Sequence, residues 1–573
     1  MPVSKHCAAQ AASGGCAMRF PRRCVPAILA AMARTKGMLG SAKVVMGFTL
    51  VSRVTGLVRD SALAAVFGVG WVADAFNYGF MIPNLFRRLF GEGALSAVFV
   101  PVFTQSLDQD GRESAWELAG RVFSLLVVVL IGLAVVVEGV VLAVYMLRPG
   151  PLVYSLTAIM LPFMIGICLV ALFSSLLNCL NHFAAPAFVP VILNLCMIAG
   201  IYLIGPAFGD ALELRVYGVA VGVLAASAVQ LLFLWPVLRR HGVRLRWGLT
   251  LGDPRLRRIM RLLLPMSLAS GALLISAWLD GQICLMMTAG QGDHATFRFL
   301  GRDVAYPLQE GAWTAVCYAR RLHQFPLGVL AISLATAAFP LFSRHAARGR
   351  TDELGDAVSG AVRIALFEGI PVGVLMIVLA EPIISLIFER YQFTHAATLR
   401  TARVLSCFGL GMWAFCTHHI VLRGFYSLQD QLTPLKIGAS LVAVNLALNL
   451  VLIWHPGLRE AAFALSSSVT SSVAVMVGLW LLSRRVGKGL NLRRIGTSLA
   501  RIVLASAAAG VAGWATDQAI VQYGADSAGS LVFRLARGLV PLGVAVLAYL
   551  LAAWALRAPE LHALLARDRE AGL

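Results

Sequence analysis

Residues 120–146 read GRVFSLLVVVLIGLAVVVEGVVLAVYM, and only Arg121 and Glu138 in them are charged. A bilayer core about 30 Å thick is crossed by about 20 mainly apolar residues as a helix. This stretch is long enough, and it has no polar face to turn to water. Working outward, similar runs lie near 43–68, 75–105, 151–177, 183–204, 215–238, 259–289, 312–342, 360–388, 400–427, 433–454, 461–483, 496–516 and 532–556. The whole chain is 59% hydrophobic and 13% charged over 573 residues, with mean hydropathy +0.80. Soluble domains hold about 45–50% apolar and about 25% charged residues. The sequence therefore predicts an all-α membrane protein of about fourteen transmembrane helices.

Loop charge orients the helices. Arg239, Arg240, Arg244, Arg246, Arg255, Arg257 and Arg258 follow the sixth helix. Arg344, Arg348 and Arg350 follow the eighth, and Arg484, Arg485, Lys488, Arg493 and Arg494 the twelfth. All are even-numbered, so all fall on one side, which the positive-inside rule makes cytoplasmic, with both termini. The net charge of +20 thus reads as membrane topology, with a patch for anionic lipid headgroups as its functional addition and no nucleic-acid partner. Residues 290–311 form a longer loop on the opposite side.

Residues 1–35 differ, being rich in Ala, Gly and Ser with scattered base. The run Val25–Ala33 is too short to span, and Lys36 and Lys43 hold the start inside. A disordered leader is expected, or an overlong start with Met32 or Met38 as the true beginning. Cys168, Cys179, Cys196, Cys284, Cys317, Cys407 and Cys416 lie in apolar segments without C-x-x-C spacing, and read as small membrane hydrophobes.

An internal echo divides the chain. Phe99-Val100-Pro101-Val102-Phe103 at the end of helix two matches Phe339-Pro340-Leu341-Phe342 at the end of helix eight. Asn181–Pro186 leads helix four into five, as Phe425–Asp430 with Pro434 leads ten into eleven. Both pairs are six helices apart, so the repeats share one topology. The expected units are a six-helix lobe at 36–240, a second at 241–490, and two additional helices within 491–573.

Charges at membrane depth mark function, since each costs at least about 2.5 kcal/mol at mid-bilayer. Helix one holds Arg53, Arg59 and Asp60; helix two and its start hold Asp74, Asn84, Arg87, Arg88 and Glu92; helix eight holds Arg320 and Arg321. Internal pairing explains some of them: Arg53 and Asp60 share a helical face, and Arg88 and Glu92 are four apart. The arginines still outnumber the acids, which leaves a net cationic cavity, and guanidinium groups grip phosphate bidentately. Asp280 is a lone carboxylate that either binds a cation or pairs with an arginine. His418 and His419 are adjacent, point apart and read as packing residues. No G-x-x-x-x-G-K-[ST], G-x-S-x-G or H-E-x-x-H occurs, so neither an ATPase, a cofactor, a metal nor an enzyme is expected.

Ser52-Arg53-Val54-x-Gly56-x-x-Arg59-Asp60, Asp74-Ala75-Phe76 and Pro83-Asn84-Leu85-x-Arg87-Arg88-x-Phe90-x-Glu92-Gly93-Ala94 resemble the MurJ (MviN) lipid II flippases, within the superfamily of multidrug, oligosaccharidyl-lipid and polysaccharide exporters. The likeness continues through Pro186-Ala187-Phe188…Asn194, Tyr318-Ala319-x-Arg321-Leu322 and Gly424-Phe425-Tyr426-Ser427-x-Gln429-Asp430. The resemblance implies a bacterial inner-membrane transporter that flips the peptidoglycan precursor lipid II to the periplasmic leaflet by alternating access. Arg53, Arg59, Arg87, Arg321 and Asn84 would bind its head. Asp60, Asp74, Arg88 and Glu92 would gate or pair, and the last two helices would hold the polyprenyl tail; Asp280 stays a possible ion site on its own reading. Lipid II, membrane lipids and cell-wall synthesis proteins are the partners it brings into view. One departure stands out: the family usually has an acidic residue where this chain has Arg320. The rival functions are export of another polyprenyl-linked oligosaccharide and, from another class, an enzyme acting on polyprenyl-phosphate sugars.

Overall fold

The computed structural model describes residues 24–87, 95–147, 152–250, 252–289, 296–299, 302–486, 490–523 and 530–561. The first lobe contains α1 (Cys24–Phe67), α2 (Trp71–Phe86), α3 (Leu95–Gln109), α4 (Gly111–Leu147), α5 (Leu152–Met160), α6 (Phe163–Cys179), α7 (Ala184–Ala199), α8 (Gly205–Phe208) and α9 (Leu212–Arg240). The second contains α10 (Pro254–Met286), α11 (Ala312–Pro326), α12 (Ile332–Ala347), α13 (Thr351–Val378), α14 (Ala380–Phe388), α15 (His395–Ser427), α16 (Leu432–Leu452) and α17 (Ala461–Arg485). α18 (Leu492–Tyr523) and α19 (Leu531–Ala555) follow.

Several of these helices are halves of one crossing. Wide π-helical steps at Gly200–Ile204 and Leu327–Ala331 join α7 to α8 and α11 to α12. Among the described residues, 11 spans are long and apolar enough to cross a membrane. α1, the α2–α3 pair and α10 complete the expected fourteen crossings. α1 is helical from Cys24, well before the sequence-marked start at 43. The Ala-rich stretch favours helix, and Pro26 falls in the first turn, where its missing N–H is harmless.

The neighbours repeat six crossings apart. α1 packs on α7, α7 and α6 on α9, and α3 on α4. Correspondingly, α10 packs on α16, α16 and α15 on α17, and α12 on α13. These are two lobes of one topology, each with its own apolar core. One is built around Phe99, Phe103 and Phe163; the other around Phe342, Phe408 and Phe463. Close approach depends on small residues, as is usual between membrane helices. A Cβ on Gly373 of α13 would stand 2.5 Å from the Gly409 carbonyl oxygen of α15. α18 and α19 lie outside the repeat, against α13 and α14.

Short connections make successive crossings antiparallel. The loops after α9, α12 and α17 therefore share one end of the bundle, the basic end. At two helix starts there a carboxylate accepts from a first-turn amide. Asp253 Oδ1 accepts from the Arg255 amide at 2.8 Å, and Asp430 Oδ1 from the Thr433 amide at 3.0 Å. At the far end, β1 (Thr296–Phe299) and β2 (Arg302–Ala305) form an antiparallel hairpin within the 290–311 loop. Its Phe297 ring lies 6.4 Å from Trp454.

Candidate anion site between the lobes

Asp60 of α1 is buried, at 5% exposure, where the lobes meet. Arg59 Nε donates to its Oδ1 at 2.9 Å, with Nη2 at 2.8 Å. Arg321 of α11, from the second lobe, pairs with the same oxygen. Arg59 Nη1 also donates to Asn194 Oδ1 at 2.8 Å. Asn194, on α7, donates in turn to the Ser52 carbonyl oxygen and Thr55 Oγ1, each at 3.0 Å. Two guanidinium groups from two lobes thus share one carboxylate and keep a net positive charge.

The expected Arg53–Asp60 pair does not form. The long Arg59 side chain folds round to its neighbour instead. Arg53 lies over Phe325, with Cζ 5.7 Å from the ring centroid. It reaches the π-helical step of the eighth crossing, where a Cβ on Gly328 would meet Arg53 Nη2 at 2.6 Å. Among the described residues no carboxylate pairs with Arg53. Arg87 Nε donates to Asn84 Oδ1 at 2.9 Å. The Arg88–Glu92 pair expected from sequence lies outside the described residues.

Asp74 has a different job from Asp60. Its Oδ2 accepts from the Gly311 amide at 2.7 Å. Its Oδ1 accepts from the Thr314 amide at 2.8 Å and from Thr314 Oγ1 at 2.7 Å. A first-lobe carboxylate therefore caps the start of α11, where free amides and the helix dipole favour an anion. Gly311 makes the cap possible: its φ is +82°, and a Cβ would stand 2.5 Å from the Val69 carbonyl oxygen. Nearby, Asn77 Nδ2 donates to Thr314 Oγ1 at 3.1 Å, the Gln392 amide to the Ala65 carbonyl oxygen at 3.1 Å, and Ser61 Oγ to the Ile387 carbonyl oxygen at 2.7 Å. These bonds join the lobes on the far side of the arginines.

Asp280 meets an arginine: Arg320 Nη2 is 3.5 Å from its Oδ2. Asn449 Nδ2 donates to its Oδ1 at 2.7 Å. The rings of His418 and His419 stand 6.3 Å apart, edge to face at 71°. At the basic end, Arg257, Arg258 and Arg261 line a recess of about 420 Å³ with Pro254 and Leu262. Asp253 there is held below the usual carboxylate range: burial pushes it up, but hydrogen bonds from Arg255 and Arg121 outweigh burial.

Sequence reasoning gave Asn194, Asn445 and Asn449 no role at the site. Their signal was nonetheless present, since each is an amide inside an apolar run, and Asn445 and Asn449 are four apart on one helical face.

The fold recurs in known proteins. A solved structure, "Lipid II flippase MurJ, inward closed conformation", shares the fold at TM-score 0.68 with 22% identity, covering 91% of this chain and 99% of that one. The inward-facing conformation of a multidrug resistance MATE family transporter follows at TM-score 0.61 and 14% identity, covering 78% and 98%. The "Probable lipid II flippase MurJ" of Rhizobium meliloti (strain 1021) is 31% identical over 471 residues, 80% of this chain and 83% of the relative. The "Lipid II flippase MurJ" of Burkholderia cenocepacia is 30% identical over 430 residues, 72% of this chain and 78% of the relative. A family model described as "Lipid II flippase MurJ" matches residues 63–536, and the chain belongs to that family.

Proposed function

We propose that this protein flips lipid II by alternating access, with the diphosphate of the lipid taking the place of Asp60 between Arg59 and Arg321. Lipid II is the substrate that family membership gives, and transport rather than enzyme chemistry is the activity. The observation that carries the site is the convergence of Arg59 and Arg321, from different lobes, on one buried carboxylate. A diphosphate offers both guanidiniums more charge and more acceptor oxygens than a carboxylate does. Its arrival frees Asp60 and so loosens an anion that both lobes share. Arg53, Arg87 and Asn84 would hold the remainder of the head, and α18 with α19 would guide the tail.

The basic loops set the direction. They would face the cytoplasm, with both termini, so the head enters at the basic end and leaves at the far end into the periplasm. Enzymes that make and polymerise the precursor are the partners this route calls for. A drug exporter is the weaker reading, because cationic cargo needs an acidic cavity and this one is cationic.

The test is complementation of a conditional lipid II flippase knockout. Ala at Arg59 or Arg321 should abolish growth at normal membrane levels. Lys should rescue only in part, because it lacks the bidentate fork. Full growth from both Ala variants would remove the diphosphate site.

A further inference from the structure

Adjacent helical residues point about 100° apart, and α11 uses both directions of Arg320 and Arg321. Arg321 turns to the first lobe and Asp60. Arg320 turns to its own lobe, with Nη2 3.5 Å from Asp280 of α10 and Cζ 5.5 Å from the ring of Trp313, two turns earlier on the same helix. Asp280 is held from behind by Asn449 of α16 at 2.7 Å, and the Asn445 amide one turn away is placed to donate to the same Oδ1 at 3.0 Å. Asp280 is 4% exposed and Asn449 fully buried. The placement repeats that of the first lobe, although there the amide bonds Arg59 rather than the acid. Acid and amide stand on the first and fifth crossings as Asp60 and Asn194, and on the seventh and eleventh as Asp280 and Asn449. Each acid takes one of the two neighbouring arginines.

We propose that Arg320 is a positioning residue for the substrate anion: by fastening α11 to α10 through Asp280, it fixes the direction in which Arg321 reaches across to the first lobe. The inference rests on the diphosphate reading of Arg59 and Arg321 above. α11 needs such a fastening, because it runs straight into the π-helical step at Leu327–Ala331. A widened turn is a place where a helix can rotate or bend. With Arg320 anchored, rotation of α11 about its axis would break the Asp280 pair, so Arg321 keeps its aim. Arg320 touches no substrate in this scheme. It acts through Arg321.

The alternative is plain charge compensation, in which Arg320 only neutralises a buried acid. The two roles separate in a pair of variants. Arg320→Gln strands the buried Asp280 and Asp280→Asn the half-buried Arg320, and each should lower the melting temperature. The double variant D280N/R320Q strands none and should recover melting temperature. Lipid II binding to the purified, nanodisc-held protein is then measured alongside. Positioning predicts that the double variant still binds lipid II at least tenfold more weakly than wild type. A double variant with wild-type stability and wild-type affinity overturns the proposal, as do single variants that change neither. If the double variant stays unstable, Arg320→Lys decides: it keeps the charge and should fold, yet lose severalfold in affinity, and undiminished affinity overturns the proposal. Wild-type protein that fails to bind lipid II would sink the diphosphate reading itself, an outcome distinct from failure of the Arg320 role.

Discussion

The two ends of this bundle are tied in different ways. At the far end the lobes meet through short, mostly buried hydrogen bonds to backbone: Asp74 on the start of α11, Gln392 on Ala65, Ser61 on Ile387. At the basic end, the polar ties from the second half to the first lobe, among the described residues, all run through α10 and the loop before it. Arg255 reaches Asp110 at 3.0 Å, Arg121 pairs with Asp253, and the Gly248 amide donates to Ser124 Oγ at 3.1 Å. The far end is a joint between lobes, and the basic end is a tether of one helix. Opening toward the basic loops therefore breaks few bonds. Opening the other way must undo the whole Asp74 cap.

The strongest test of that contrast is covalent. In a background without the native cysteines, the pair Ala65→Cys and Gln392→Cys should cross-link and abolish complementation, with function restored by reductant. The pair Ser124→Cys and Gly248→Cys should cross-link and leave growth intact, since α10's leading loop stays with α4 in either state. Equal loss from both pairs would erase the distinction between joint and tether.

Next in size is Asp74→Asn. The amide keeps the shape but loses the charge and turns an N–H₂ toward donors. Hydrogen bonds to a charged group are worth about 1.5–3 kcal/mol, so a loss of about 2 kcal/mol, roughly thirtyfold in the closed-to-open ratio, is expected. Labelling of Val69→Cys by a membrane-impermeant maleimide reads it, because Val69 packs against Gly311 in the closed joint. An unchanged labelling rate would mean that the cap does not hold the joint.

These tests fall on features of unequal legibility. The crossings were readable because an apolar run such as 120–146 has only one solvent that suits it. The arginine excess was readable because Arg59 and Arg321 are costly anywhere but a wet or paired site. Asp74 was visible as a charge but not as a cap, since its partners Gly311 and Thr314 lie in another lobe and capping residues announce themselves only locally. The Arg53–Asp60 pairing failed because helical spacing fixes where a Cβ points, while an arginine's long side chain decides where its charge goes. Arg320 reads from spacing alone as the less important of two neighbours. Its partner Asp280 sits on another helix, where no sequence pattern links the two.

Ser61→Ala is a milder probe of the same joint. It deletes the bond to the Ile387 carbonyl oxygen at 2.7 Å and the one accepted from Arg390 Nη1 at 2.9 Å. Arg390 keeps its own contact with the Ile387 carbonyl oxygen at 2.9 Å. The net cost should be about 1 kcal/mol, so Val69→Cys labelling should rise about fivefold. A rise as large as that of Asp74→Asn would place the strength of the joint in Ser61 rather than the cap.

The smallest effect belongs to the tether. Asp110 and Arg255 pair at 3.0 Å with side chains 46% and 27% exposed, and exposed pairs contribute about 0.2–1 kcal/mol. Arg255 also keeps Asp253, so Asp110→Asn leaves it no stranded charge. The variant should melt within a degree or two of wild type and complement fully. What difference there is should vanish in about 1 M salt, where the screening length falls to about 3 Å. The Asp74 effect should survive that salt, because its carboxylate and partners are buried. An Asp110→Asn defect that matches Asp74→Asn and persists in salt would make the basic end a joint as firm as the far one, and the bundle would then have no built-in side on which to open.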